Sequence, residues 1–282
     1  MKTNQSRSAL SVLLIILFIT SCSTGSSVTQ EPDNTVTPSI TAIPGNTEVS
    51  PTQSESTPTS ESTEPTESGL CTNAYYPVRQ GATWTYKSAG SPAGDYSFTE
   101  SITSVREDGF TLRSQFGEVT RTQEWGCEPE GLVALQLGGP SAATLSSQNI
   151  QFNLEVKTVS GVTFPSAISP GDQWQHNLDF EGSLDIAGQS GEAQGDAQAG
   201  FTAVGNETVT VPAGTFETLK IQMETTLNMN VVFQGLSVPV TFTASYTYWL
   251  AEDVGWVKAS GTGTVRGQSF TETIELQSYS VP

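Results

Sequence analysis

The chain is poor in the residues that most enzymes and nucleic-acid binders rely on. It has one histidine, three cysteines and eleven basic residues in 282 positions. A structural zinc site takes four nitrogen or sulfur ligands, and one histidine beside two cysteines expected to pair with each other leaves too few for one. No Gly-x-Ser-x-Gly elbow supplies a nucleophile for that histidine, His176. It therefore reads as a partly exposed strand residue rather than a catalytic base. Eleven basic against 29 acidic residues give a net charge of −18, which argues against nucleic acid as a partner. No apolar run reaches the roughly 20 residues that a membrane-spanning helix needs, and no stretch carries a convincing 3.6-residue period.

The ends of the chain differ in kind. Lys2 and Arg7 precede an apolar run from Ala9 to Ile19, which closes on Ile19-Thr20-Ser21-Cys22. That order describes an export signal over residues 1–21, and its end resembles the bacterial lipobox, with Cys22 as the lipidated first residue of the mature chain. The implied partner is a membrane, held through the lipid, and the implied location is the outer face of that membrane in the cell envelope. From Ser23 to Gly69 there are 10 Ser, 11 Thr and 6 Pro in 47 residues, with no Lys, Arg or aromatic residue. Such a segment buries too little apolar area to offset its ordering entropy. Residues 22–69 are thus a lipidated cysteine and a disordered stalk, spanning roughly 40 Å as a flexible coil and roughly 145 Å as polyproline.

Residues 70–282 form the remaining domain, with 22 carboxylates against 9 basic residues. Cys71 and Cys127 are the pair left after lipidation, and in an oxidising compartment they are expected to bridge. Two reduced buried thiols are the alternative where oxidants are lacking. The domain reads as all-β. From Leu219 to Phe233 the odd positions are mostly apolar and the even ones polar; beyond Gln234-Gly235 the apolar phase moves to even positions through Leu250. Period two at this length is a hairpin with one face buried. Arms of about 15 residues would be roughly 50 Å if straight. The sheet must therefore curl into an antiparallel half-barrel or barrel, with bulges or glycines taking up the bend.

Shorter hairpins are predicted around Glu107-Asp108-Gly109, Pro212-Ala213-Gly214 and Arg266-Gly267-Gln268, with Phe110 to Trp125 read as one arm. Ile150, Phe152, Leu154 and Val156 mark another strand with those side chains inward. Residues 188–200, rich in Gly and charge, read as an edge strand or loop. Two echoes suggest duplicated halves. Tyr76-Pro77, Gly81 and Trp84 recur as Phe164-Pro165, Gly171 and Trp174, and Trp125 to Val133 lines up with Trp249 to Val257.

The stretches YYPVRQGATWTY (75–86), VPAGTFETLKI (211–221) and YWLAEDVGWVK (248–258) resemble exported bacterial β-rich domains of unknown function, including the TapB-like group. More distantly, the architecture is similar to half-barrel lipoprotein carriers of the LolA, LolB and LppX type. That resemblance implies a concave apolar face that holds acyl chains, although this chain has no helices of the kind that plug those half-barrels.

Asp179, Glu181 and Asp185 share one strand face and could offer hard oxygen ligands to calcium. Phe180, Leu184 and Ile186 hold the opposite face, so the carboxylates read as the solvated side. Trp249, on the polar face of its strand, is the expected exposed aromatic. The leading function is a non-enzymatic binding or scaffold lipoprotein, without cofactor or metal, whose partner is a hydrophobic ligand or an envelope protein. One alternative is a carrier or receptor for a lipid or other hydrophobic ligand lined by Met223, Leu227, Met229, Val231, Val240, Phe242 and Tyr246. Another is a hydrolase with an unrecognised site. A void of several hundred Å³ in the concave face would favour the carrier.

Overall fold

The computed structural model describes residues 69–91, 94–138, 150–186, 189–265 and 268–282. The signal segment, Cys22 and the stalk up to residue 68 lie outside the described residues. Thirteen strands follow in chain order: β1 (Thr83–Ala89), β2 (Tyr96–Arg106), β3 (Gly109–Phe116), β4 (Val119–Glu128), β5 (Gly131–Ala134), β6 (Ile150–Gly161) and β7 (Phe164–Pro165). They continue with β8 (Gln173–Ile186), β9 (Gln189–Val211), β10 (Gly214–Phe233), β11 (Leu236–Ala251), β12 (Gly255–Val265) and β13 (Gln268–Ser280).

All thirteen belong to one antiparallel sheet, in the order β6-β8-β9-β10-β11-β12-β13-β1-β2-β3-β4-β5-β7. The sheet curls into a half-barrel. Its strands bend at bulges between Thr85 and Tyr86, Ile102 and Ser104, Val156 and Thr158, Lys220 and Ile221, and Trp249 and Leu250. Each bulge adds a residue to one strand and steepens the local twist. The long hairpin β10–β11 pairs Phe233 with Leu236. Its two loop residues, Gln234 (φ 50°) and Gly235 (φ 83°), both take positive φ, the geometry of a type I′ turn matched to the right-handed twist of the arms.

The echoes in sequence correspond to repeated geometry. The Gly81 amide donates to the Ile102 carbonyl, Ile102 donates back to Ala82, and Ala82 donates to Arg79. Ninety positions on, Gly171 donates to Ala203, Ala203 donates back to Asp172, and Asp172 donates to Ser169. Both turns need a glycine at φ near +90°, and both launch a strand whose second residue is the echoed tryptophan. The sheet divides accordingly into two six-strand runs, β6-β8-β9-β10-β11-β12 and β13-β1-β2-β3-β4-β5. The second echo is looser, because Trp125 is buried while the bulge at Trp249 keeps that ring on the outer face.

Two expectations are corrected. Residues 188–200 are not an edge: Gln189 onward forms the first half of β9, paired with β8 on one side and β10 on the other. Alternation is present there, but its inward members are Gly191, Ala193, Gly195, Ala197 and Ala199. A Cβ on Gly195 would meet the Asn228 carbonyl at 2.0 Å, so glycine is what lets β9 and β10 approach. Phe110 to Trp125 is also not one arm, since it folds back at Gly117 (φ 54°) as β3 and β4, pairing Phe116 with Val119.

The base of the half-barrel is filled by aromatic rings. Tyr76 packs against Trp125 at 5.3 Å and Phe164 at 5.1 Å, Phe110 lies 5.4 Å from Trp125, and Tyr86 stacks on Trp256 at 3.8 Å between centroids. The segment ahead of β1 covers this base. It is fixed by the Cys71–Cys127 disulfide, by the Asn73 amide donating to the Pro165 carbonyl and by the Asp253 amide donating to the Ala74 carbonyl. Farther along β8 to β11, Phe180, Leu184, Ala193, Met229 and Val231 make a second, smaller core.

Candidate functional site

Between the two cores the concave face encloses a cavity of about 560 Å³. One wall comes from β9, β10 and β11, with Ala197, Ala199, Phe201, Met223, Leu227 and Phe242 facing the void. Alanines at two adjacent inward positions of β9 leave this space open. The facing wall comes from β2, β3 and β4 and carries Phe98, Glu100, Leu112, Ser114, Arg121 and Trp125. Trp174, His176 and Leu178 of β8 close one side.

The seven residues expected to line a ligand site divide into two groups. Met223, Leu227 and Phe242 face the cavity. Met229 and Val231 are buried in the smaller core, with Val240 packed on them. Tyr246 is buried, its ring covers Gly261, and its hydroxyl donates to Glu272 at 3.0 Å. Ser88 and Tyr96 donate to that same fully buried carboxylate at 2.5 and 2.9 Å, so Tyr246 is part of a hydrogen-bonded wall.

The polar members of the lining were not singled out from sequence. Glu100 accepts hydrogen bonds from Ser114 Oγ and Trp256 Nε1, each at 3.4 Å. Burial nevertheless pushes its carboxyl up to about 7, because the two bonds offset only part of the desolvation. Arg121 lies opposite Ser114, which in turn lies opposite Glu100. Desolvation lowers its pKa, and among the described residues no carboxylate comes within ion-pair distance of it.

His176 is not a surface residue. It shares the even, inward positions of β8 with Trp174, Leu178 and Phe180 and is only 7% exposed. Burial pulls its pKa down, partly opposed by a hydrogen bond to the Ala134 backbone. Its Nε2 and the indole Nε1 of Trp125 are buried without partners. The bond to Ala134 also joins β8 to β5, strands from the two far ends of the sheet. The intervening segment joins the same strands, since the Val162 amide donates to Gln175 and that of Thr163 to Leu132.

The outer face is solvated. Asp179 and Glu181 are exposed there. Asp179 accepts from Thr158, while Lys157 bonds Glu181 at 2.7 Å and Glu155 at 2.9 Å. Among the described residues no three His, Cys, Asp or Glu side chains are grouped as metal ligands. Trp249 lies on this face as expected but is half-buried. Lys220 and Lys258 flank its ring at 5.5 and 5.7 Å, and its Nε1 donates to Glu207 at 3.2 Å. Neighbouring strands place these side chains in one charged row, so the indole is not a free platform.

The profile of the family described as DUF3108-like matches residues 139–281, just over half of the chain. The chain belongs to the DUF3108-like family. Within the described residues the match spans β6 to β13, and so takes in the whole β6-to-β12 run. No curated protein matches the sequence. Solved structures similar to it include the following three. An exported protein with a YmcC-like fold from Bacteroides fragilis has a TM-score of 0.46 at 14% identity, covering 74% of this chain and 100% of that one. A lipoprotein from Parabacteroides distasonis has 0.42 at 13%, covering 74% and 99%. The hypothetical lipoprotein YmcC of Escherichia coli has 0.33 at 12%, covering 73% and 87%.

Proposed function

We propose that this protein is a lipid-anchored receptor or carrier of the cell envelope, held at the membrane through Cys22, whose β domain takes a hydrophobic ligand into its concave face. The supporting observation is the cavity. About 560 Å³ of unfilled space falls within the range of small-ligand sites, roughly 300–1,000 Å³. A scaffold has no use for such a void, because an interior left unfilled forfeits packing. The fold needs no helical plug to hold a ligand, since aromatic rings close the base. Within the DUF3108-like family, the Pro-Ala-Gly-Thr-Phe turn and the Gly-x-Val closing segment support placement near the TapB-like group.

Uptake of a fluorescent fatty acid by the full chain tests the reading. The wild type is expected to bind it saturably and Leu227→Trp to abolish binding while remaining folded. A wild type without saturable uptake would return the protein to the scaffold reading. The anchor is tested separately. Cys22→Ser should move the protein out of the detergent phase, and partitioning equal to wild type would overturn lipidation.

A further inference from the structure

The polar groups of the cavity are not scattered at random along its length. The β4–β5 pairing covers Trp125 to Glu128 and residues 135–138 run on beside Glu124 and Gln123, so among the described residues Arg121 stands on the part of β4 that neither covers. It lies two residues from the β3–β4 turn, where Val119 is exposed. Trp125, four residues deeper and roughly 13 Å along the strand, belongs to the closed aromatic base. The void therefore has a cationic end at the open edge and an apolar end at the base. A guanidinium that loses part of its hydration without gaining a carboxylate is costly, and it is a ready receptor for an anion.

A second observation lies deeper in the same cavity. His176 lines the cavity and is nine-tenths buried, and its Nε2 has no partner. Its ring is engaged by the Ala134 backbone, and burial lowers its pKa. Trp125 Nε1 beside the base is an unpaired donor. Neither group competes with Arg121 for a full negative charge.

We propose that the cavity takes a single-chain amphiphile with an anionic head, a carboxylate or a phosphate. The head pairs with Arg121 at the open edge, and the chain runs inward along Ala197, Met223, Leu227 and Phe242. The inference rests on the hydrophobic-ligand reading above and adds the charge and orientation of the ligand. Among the described residues Glu100 is the one carboxylate of the lining. Because burial pushes it up to about 7, it can take up a proton near neutrality instead of repelling the head.

The test is displacement of a neutral, polarity-sensitive dye from the full chain by laurate, dodecyl phosphate and dodecanol. Charge-assisted hydrogen bonds to a guanidinium predict that Arg121→Gln weakens the two anions by roughly 10- to 100-fold. Dodecanol should change less than about twofold, and Arg121→Lys should keep most of the anion affinity. Melting temperatures of both variants establish that they fold. If laurate alone responds, the head is a carboxylate; if dodecyl phosphate alone responds, it is a phosphate. Equal loss for dodecanol, or no loss for either anion, overturns the role of Arg121 while leaving the cavity reading intact. A wild type that releases no dye to any of the three fails at the earlier step.

Discussion

The two six-strand runs share an order of strands and a pair of matched turns, yet they fill their concave faces differently. In the β13-to-β5 run the inward positions hold large rings, with Trp84, Tyr86, Phe98, Phe110 and Trp125 all buried. In the β6-to-β12 run the longest strand, β9, presents Gly and Ala at five successive inward positions, and above Ala197 and Ala199 the space stays open. Strand topology sets the curvature of the sheet, whereas side-chain volume on one face decides whether the curvature encloses a core or a cavity.

The sharpest way to break this comparison is to carve the filled half. Phe110→Ala removes a fully buried ring from the aromatic base and should cost about 3–5 kcal/mol, read as a lower denaturation midpoint. Reduction of the Cys71–Cys127 bridge, which spans 56 positions, should cost up to about 4 kcal/mol on the loop-entropy account. Thermal melts with and without reductant check it. A fall as large as that for Phe110→Ala would mean that the bridge and the ring hold the base equally.

Glu100 sits where the filled half meets the cavity, and its pH dependence has a definite sign. Its folded pKa of about 7 lies above the unfolded value of 4.5, so the native state binds the extra proton. The contribution of Glu100 to stability is therefore full below about pH 4.5 and is lost as pH rises through about 7. Glu100→Gln removes this dependence. Matched to wild type at pH 4, it should be more stable at pH 8 by up to about 3 kcal/mol, measured by urea denaturation at both values. An ionised Glu100 stabilised by the cavity would reverse that order.

The smallest effects separate two neighbours on β10. Met229→Trp forces a larger ring into the smaller core and should cost about 1–3 kcal/mol. Leu227→Trp points into unfilled space and should cost less than about 1 kcal/mol. Equal costs at the two positions would mean that the cavity is filled in solution.

Much of this architecture was legible in the sequence. Alternation over Leu219 to Phe233 and, in the other phase, Leu236 to Leu250 marks the long hairpin because its inner residues are mostly large and apolar and its outer ones mostly polar. The interior place of the first half of β9 escaped because the same alternation there is written in Gly and Ala against Glu, Gln and Asp. Volume, not polarity, separates its faces, and a hydropathy pattern does not register volume. His176 carried its own signal, since it shares parity with Trp174, Leu178 and Phe180. Arg121 was hidden for a different reason. Reading Phe110 to Trp125 as one arm misses the turn at Gly117, where the inward positions switch from Phe110, Leu112, Ser114 and Phe116 to Val119, Arg121, Gln123 and Trp125. A missed reversal assigns every later side chain to the wrong face. Contacts between β5 and β8 join segments distant in the chain, and local pattern carries no trace of them.

If the domain is anchored through Cys22 as proposed, the covalent bridge at the base has a mechanical consequence. Tension arriving along the chain ahead of Gly69 meets Cys71 and passes through the bridge into Cys127, in the body of β4. The backbone from residue 72 to residue 126, with β1, β2, β3 and most of β4, lies in the loop that the bridge closes and is bypassed by the load. Tugging on the leash therefore does not peel β1 from β13 one hydrogen bond at a time. The strands that frame one wall of the cavity keep their register while the anchor is pulled.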